Sequence, residues 1–217
     1  MVSEQDRQNE RVNYVNKLYK QDPIFQEVQD FLEKKNWAIQ VNSNLARLLS
    51  VIVAMTRAKK VVEIGTLVGY SALWIAKNMG IEGTLWTIEK DPIRSSLAKE
   101  FVDKSPWKDR VICLTGAADD VLSDIEEEGL FDMVFIDADK AGYPGYLDWA
   151  EENLRPGGVV VADNIFLGGS LYGLPVRKVS SNKAEKMEIF NQRLSRGDVF
   201  TSVCLPLFDG FFVAVKK

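Results

Sequence analysis

Apolar and polar positions along this chain fall into two regimes. Up to residue 58 the apolar positions recur at helical spacing. Val12, Val15, Leu18 and Tyr19 form one stripe. Ile24, Phe25, Val28, Phe31 and Leu32 form a second, and Leu45, Leu48, Leu49, Ile52 and Val53 a third. Steps of three and four residues put each set on one face of a helix. Asp22-Pro23 reads as an N-cap followed by proline at the first helical position, where the missing N–H is not needed. Trp37 to Val41 is a short apolar connector.

From residue 59 the period changes. Short apolar runs predict strands at Lys60–Ile64, Thr84–Glu89, Val111–Thr115, Met133–Ile136 and Val159–Ala162. Amphipathic stretches between them predict helices at Ser71–Met79, Pro92–Lys104, Ala118–Glu127 and Pro144–Asn153. This βαβαβ alternation predicts a parallel sheet with helices on both faces. Leu154-Arg155-Pro156-Gly157-Gly158 reads as a helix stop and a tight turn. Ile165 to Asn182 is irregular and glycine-rich, long enough to read as a functional lid or a disordered segment. A helix over Lys183–Arg196 follows. Val199–Pro206 and Phe211–Lys216 then pair as a hairpin through Phe208-Asp209-Gly210. The expected fold is α/β: a Rossmann-like, doubly wound, mostly parallel seven-stranded sheet ending in an antiparallel hairpin strand. The chain reads as a single domain over 1–217, with a helical portion at 1–58 packed on an α/β core at 59–217.

Composition narrows the chemistry. At 217 residues and 46% hydrophobic, the chain can bury one sizeable core. No run approaches the roughly 20 apolar residues of a membrane span. Met1 to Arg11 is polar and lacks the apolar centre of a signal peptide, so a cytoplasmic, membrane-free protein is expected. The net charge of −4 gives no overall basic footprint for nucleic acid. The absence of histidine rules out Ser-His-Asp and Cys-His catalysis and histidine metal ligands. Cys113 and Cys204 lie in strand-like runs and read as buried free thiols. Without a His or Cys cluster, any metal should be a hard cation held by oxygen.

Two stretches carry candidate chemistry. Val61-Val62-Glu63-Ile64-Gly65-Thr66-Leu67-Val68-Gly69-Tyr70-Ser71 runs from strand through glycine turn to helix, the layout of a nucleotide-type site. Leu67 stands where a dinucleotide fingerprint needs its second glycine, and Glu63 would repel phosphates. A carboxylate there suits a cationic ligand such as S-adenosylmethionine. Glu89 ends the next strand 20 residues after Gly69, a spacing typical of ribose recognition. A structural turn with a solvated glutamate would leave the same pattern. The second stretch is a pair of adjacent strand ends. The run 133–136 leads into Asp137-Ala138-Asp139-Lys140, and 159–162 into Asp163-Asn164. Asp137, Asp163 and Asn164 can converge as hard ligands for Mg²⁺, Mn²⁺ or Ca²⁺. The alternative is that these side chains cap loops and helices.

Glu63-x-Gly65-x-x-x-Gly69-Tyr70-Ser71, Phe135-Ile136-Asp137-Ala138-Asp139-Lys140 and Asp163-Asn164 together resemble the cation-dependent class I O-methyltransferases of the caffeoyl-CoA and catechol group. The resemblance implies that Asp137, Asp163 and Asn164 hold the cation. It implies that Glu63, Gly65, Thr66, Ser71, Glu89, Ala118, Asp137 and Asp139 contact S-adenosylmethionine, with Val41 beside it. It makes Lys140 the general base, working with Asp137. It further implies a homodimer and a small aromatic acceptor, catechol-like or hydroxycinnamoyl. A vicinal diol could chelate the metal, which would acidify and fix its oxygen. The alternative within the family is a hydroxyuridine of tRNA, with Lys59-Lys60, Arg177-Lys178 and Lys183 touching phosphates. A non-enzymatic S-adenosylmethionine sensor is a third reading. The segment Val41-Asn42-Ser43-Asn44-Leu45-Ala46-Arg47 departs from relatives, many of which are small, acidic or Gln-containing there. Phe166, Tyr172, Tyr143 and Trp149 are aromatics that line either an acceptor pocket or the core.

Overall fold

The computed structural model describes residues 4–20, 22–37, 42–176 and 178–217. Three helices open it: α1 (Glu4–Leu18), α2 (Pro23–Lys34) and α3 (Ser43–Thr56). Strands and helices then alternate through β1 (Lys60–Ile64), α4 (Tyr70–Asn78), β2 (Thr84–Glu89), α5 (Pro92–Lys104), β3 (Val111–Thr115) and α6 (Ala118–Asp124). They continue through β4 (Phe131–Ile136), α7 (Tyr143–Asn153), β5 (Leu154–Asp163), α8 (Ser181–Arg196), β6 (Phe200–Leu205) and β7 (Phe211–Lys216).

The seven strands form one sheet in the order β3-β2-β1-β4-β5-β7-β6. Neighbours from β3 to β5 pair in parallel, and β7 is antiparallel to both β5 and β6. Six strands therefore share one direction and β7 alone is reversed. The strand order turns back between β1 and β4, and an open α/β sheet offers its ligand crevice at that switch point. Alternate residues of the central strands feed two cores. Val61, Met133, Phe135 and Val161 face the α2–α5 side, while Val62, Val134, Ile136 and Val160 face the α6–α8 side. Burial on both faces is why these strands are continuous apolar runs.

Several local expectations are corrected. The fifth strand starts at Leu154 rather than Val159, with Gly157 left-handed at φ +78° inside it. Its register slips between the pairs Phe131–Leu154 and Met133–Val159. Helix α6 stops at Asp124, and Glu126–Glu128 tighten into a 3-10 turn before Gly129 at φ +82°. Asp22 occupies the N-cap of α2 without a side-chain cap bond, because its carboxylate pairs with Lys77 Nζ at 2.6 Å. Cys113 is half-buried and Cys204 is exposed, both as free thiols; β6 is an edge strand with one face uncovered. The first apolar stripe is not a core face either, since Leu18 and Tyr19 are more than half exposed. Among the described residues no helix is long and apolar enough to cross a membrane.

Candidate active site

The carboxyl ends of β1, β2 and β4 open into a cleft of about 380 Å³. Its floor is the turn after β1. Gly65 has φ +104°, and a Cβ there would lie 2.0 Å from the Asp137 carbonyl oxygen, so only glycine lets β1 and β4 close this tightly. Gly69 caps α4 at φ +88°. Leu67, in the place of the missing glycine, also takes a left-handed conformation, at φ +53°. A side chain in that conformation costs about 1 kcal/mol, strain that concentrates at functional loops. The loop is held from β2: Glu89 accepts the Leu67 N–H at 2.9 Å and the Asp91 N–H at 3.0 Å, which fixes its carboxylate at the cleft mouth.

Gly65, Thr66, Ser71, Glu89, Ala118, Asp137, Asp139, Lys140 and Asn164 all line this single cleft. Glu63 and Asp163 lie beneath the surface instead, at 0% and 3% exposure. Val41 lies outside the described residues. Glu63 Oε2 accepts from the Thr87 hydroxyl, and Thr87 in turn meets Thr66 Oγ1. Burial raises the Glu63 carboxyl to about 7, against the lowering effect of bonds from Ser71 and Thr87. Its other oxygen, Oε1, is buried with no partner. An acceptor left open under the cofactor loop fits a ligand that brings a cationic donor, as the ammonium of S-adenosylmethionine does.

Lys140 extends from the β4–α7 loop. Its ammonium donates to Asp137 Oδ1 at 3.1 Å, to Tyr143 Oη at 2.5 Å and to Asn164 Oδ1 at 3.4 Å. It also reaches the Asp163 carbonyl at 3.4 Å. A positive charge thus sits against two of the side-chain oxygens that the sequence assigned to a metal, Asp137 and Asn164, and against the main chain of the third residue, Asp163. Burial, together with the Asp137 charge, raises the Asp163 carboxyl to about 7. Two carboxylates and an amide oxygen this close favour a cation between them, so the donor set fits a hard divalent ion. Asn164 is left-handed at φ +56° and its N–H donates to Asp163 Oδ1 at 2.7 Å, which fixes the Asp163 carboxylate beneath the rim that Asn164 lines.

Sequence reasoning missed three contributors. Tyr143 was set aside as a pocket or core aromatic; it is fully buried, accepts from Lys140 and donates to the Asp163 carbonyl at 2.8 Å. Burial raises its phenol well above 10, so the hydroxyl stays protonated. Its spacing three residues after Lys140 was the available signal. Thr87 lies in register with Glu63 across β1–β2, which no local pattern reveals. Lys183 of α8 pairs with Asp139 at 2.6 Å and holds that carboxyl below its ordinary value. Of the other aromatics, Trp149 is core against Phe131, whereas Phe166 and Tyr172 pair edge to face in the lid. The base of the lid is pinned where Gly168 N–H donates to Asp209 at 2.8 Å.

The family model described as O-methyltransferase matches residues 14–217. A catechol O-methyltransferase of Niastella koreensis is 32% identical over 214 residues, spanning 94% of this chain and 96% of the relative. An O-methyltransferase from Bacillus cereus, solved in complex with SAH, superposes with a TM-score of 0.86 at 29% identity, over 94% of this chain and 96% of that one. TomG of Streptomyces achromogenes, an O-methyltransferase of tomaymycin synthesis solved with SAM, reaches 0.90 at 27% identity over 99% of both chains. With this match over nearly its whole length and a strand-end cleft suited to the same cofactor, the chain belongs to the O-methyltransferase family and is an S-adenosylmethionine-dependent O-methyltransferase.

Proposed function

We propose that this enzyme methylates a hydroxyl of a small catechol-like or hydroxycinnamoyl acceptor in a divalent-cation-dependent reaction. The observation that carries the reading is the convergence of Asp137, Asn164 and the Asp163 loop on one cationic position beside the cofactor cleft. The catechol O-methyltransferase of N. koreensis supports the acceptor class. Asp137, Asp163 and Asn164 hold the cation, Mg²⁺ before Mn²⁺ or Ca²⁺. When bound, that cation supplies the charge that acidifies the acceptor hydroxyl and orients both oxygens of a diol. S-adenosylmethionine supplies the electrophilic methyl group.

The chain's own residues do the rest. Glu63 and Ser71 take the amino-acid end of the cofactor, Glu89 its ribose, and Asp139 a further polar group, with Gly65, Thr66 and Ala118 shaping the wall and Val41 beside it. As the neutral amine, Lys140 accepts the acceptor's proton at Nζ, and Tyr143 and Asp137 hold that nitrogen in place. Much of the acceleration comes from holding the two reactants in register. The whole chain serves as one methyltransferase domain, acts in the cytoplasm and pairs as a homodimer.

The test is transfer of labelled methyl to 3,4-dihydroxybenzoate or caffeate, with Mg²⁺ or with EDTA, for wild type and Asp137→Ala. Cation-dependent transfer that the variant loses supports the reading. Transfer unchanged by EDTA refutes the metal role. Transfer to tRNA and to neither small acceptor refutes the acceptor class.

A further inference from the structure

Tyr146 stands near the start of α7 and lines the cofactor cleft, 7% exposed. The backbone leaves a slot for its ring. A Cβ on Gly142, four residues earlier, would lie 2.4 Å from the Tyr146 hydroxyl oxygen, so the phenol occupies the space where any other residue's side chain would begin. The Tyr146 N–H donates to the Gly142 carbonyl at 3.0 Å, which sets the two one helical turn apart. Tyr143 flanks the ring at a tilt, with centroids 6.3 Å apart. The ring is thus held, yet its oxygen makes no hydrogen bond among the described residues. Unlike Glu63 Oε1, that oxygen is not sealed off, so it opens to the cleft that the residue lines.

Burial raises the Tyr146 phenol to about 12, helped by the charges of Asp119, at the start of α6, and Asp139, so the group stays protonated. A hydroxyl in the field of two carboxylates turns its hydrogen toward them and leaves its lone pairs for a ligand. Tyr146 therefore presents an acceptor. Asp139 Oδ1 is already committed to Lys183 at 2.6 Å. An acceptor so placed recognises an N–H donor, and a carbonyl oxygen in the same position would set lone pair against lone pair. The position of Tyr146 narrows the ligand group further. With Glu63 and Ser71 at the amino-acid end of the cofactor and Glu89 at its ribose, the wall left for the base is Gly116 and Ala118, after β3, with Asp139 and Tyr146, after β4. Helix α6 packs on α7, which brings these two parts of the wall together. In a base joined to ribose through N9, adenine has its exocyclic amine as its sole N–H donor.

We propose that the Tyr146 hydroxyl, seated over Gly142 at the end of the cleft between α6 and α7, accepts from the exocyclic amine of the cofactor's adenine and so selects adenine over a 6-oxo purine. This selection rests on Glu89 taking the ribose, as proposed above. The test is calorimetric titration of S-adenosylhomocysteine and of S-inosylhomocysteine, in which a carbonyl replaces the amine, into the full-length chain. Wild type should prefer S-adenosylhomocysteine by at least about tenfold. Tyr146→Phe should bind it about tenfold more weakly and bind S-inosylhomocysteine little changed, so the preference collapses. A merely structural loss would weaken both ligands alike. Gly142→Ala, which pushes the phenol out of its slot, should lower the same preference. Circular dichroism checks that each variant is folded; if Tyr146→Phe is not, Gly142→Ala carries the comparison. Absence of a preference in wild type overturns the proposal, as does an unchanged preference in the folded variants or an equal loss of both ligands. Glu89→Gln should weaken both ligands equally. If it binds S-adenosylhomocysteine as wild type does, the orientation of the cofactor is overturned, a failure distinct from that of Tyr146.

Discussion

Glu63 should make the ligand-free enzyme less stable as pH rises, and replacing it should remove that loss. Its carboxyl is fully buried beneath the cofactor loop and raised from 4.5 to about 7 by burial. Below pH 4.5 the group is protonated in both folded and unfolded chains and makes no difference. Between 4.5 and 7 the unfolded chain releases the proton while the folded one keeps it, so the unfolded state gains. Above 7 the loss is complete. At about 1.4 kcal/mol per pH unit, this amounts to roughly 3 kcal/mol. Glu63→Gln keeps the shape and an acceptor for the Thr87 hydroxyl but cannot ionise. The stability of the variant minus that of wild type should therefore grow by about 3 kcal/mol between pH 4 and pH 8. Asp163, also raised to about 7, titrates in both proteins and largely cancels in this difference. The assay is urea unfolding followed by tryptophan fluorescence at several pH values, without cofactor. A difference that stays flat within about 1 kcal/mol across that range would show that Glu63 ionises freely in the folded chain, and the account of its burial would fail. The same variant should bind S-adenosylhomocysteine about tenfold more weakly, since a charged acceptor for the ligand's ammonium is gone.

Three further outcomes are expected. Tyr143→Phe removes the oxygen that meets Lys140 Nζ and leaves the fold intact; kcat should fall about tenfold with KM for the cofactor unchanged, and a matched fall in both would contradict a positioning role. Gly65→Ala drives a methyl to 2.0 Å from the Asp137 carbonyl at a φ of +104°, so thermal unfolding should show a loss above about 3 kcal/mol and cofactor binding should disappear. Asp132→Ala strips acceptors from the Lys59 and Lys60 N–H groups and from Arg155 Nε, at 2.7, 2.9 and 2.6 Å. The expected cost is about 2 kcal/mol in chemical unfolding, with methyl transfer per folded molecule unchanged.

Much of this enzyme is determined by local sequence, and the reason is burial. The first three strands have the bounds that their apolar runs mark: β1 and β2 are buried along almost their whole length, and β3, at the sheet's edge, keeps the same bounds though only half covered. The same logic brings Gly65, Ser71, Glu89, Asp137, Asp139 and Asn164 to one cleft, since parallel strands deliver their carboxyl ends to a common edge. What the sequence could not contain is whatever depends on pairing across the sheet or between helices. That Glu63 and Asp163 lie under the cleft rather than in its wall follows from what packs over them. That Thr87 answers Glu63, and that Tyr143 and Lys140 meet beside Asp163, follows from register and helix placement. The exposure of Cys204 was decided by β6 becoming the sheet's edge, and the reversed β7 strand decided that edge. Arg47 is the sharpest case. In sequence it is one basic residue in an amphipathic helix. Only the packing of α1 and α4 around it covers Nε and Nη2 without giving them an acceptor, because satisfying a planar five-donor group takes partners from several elements at once.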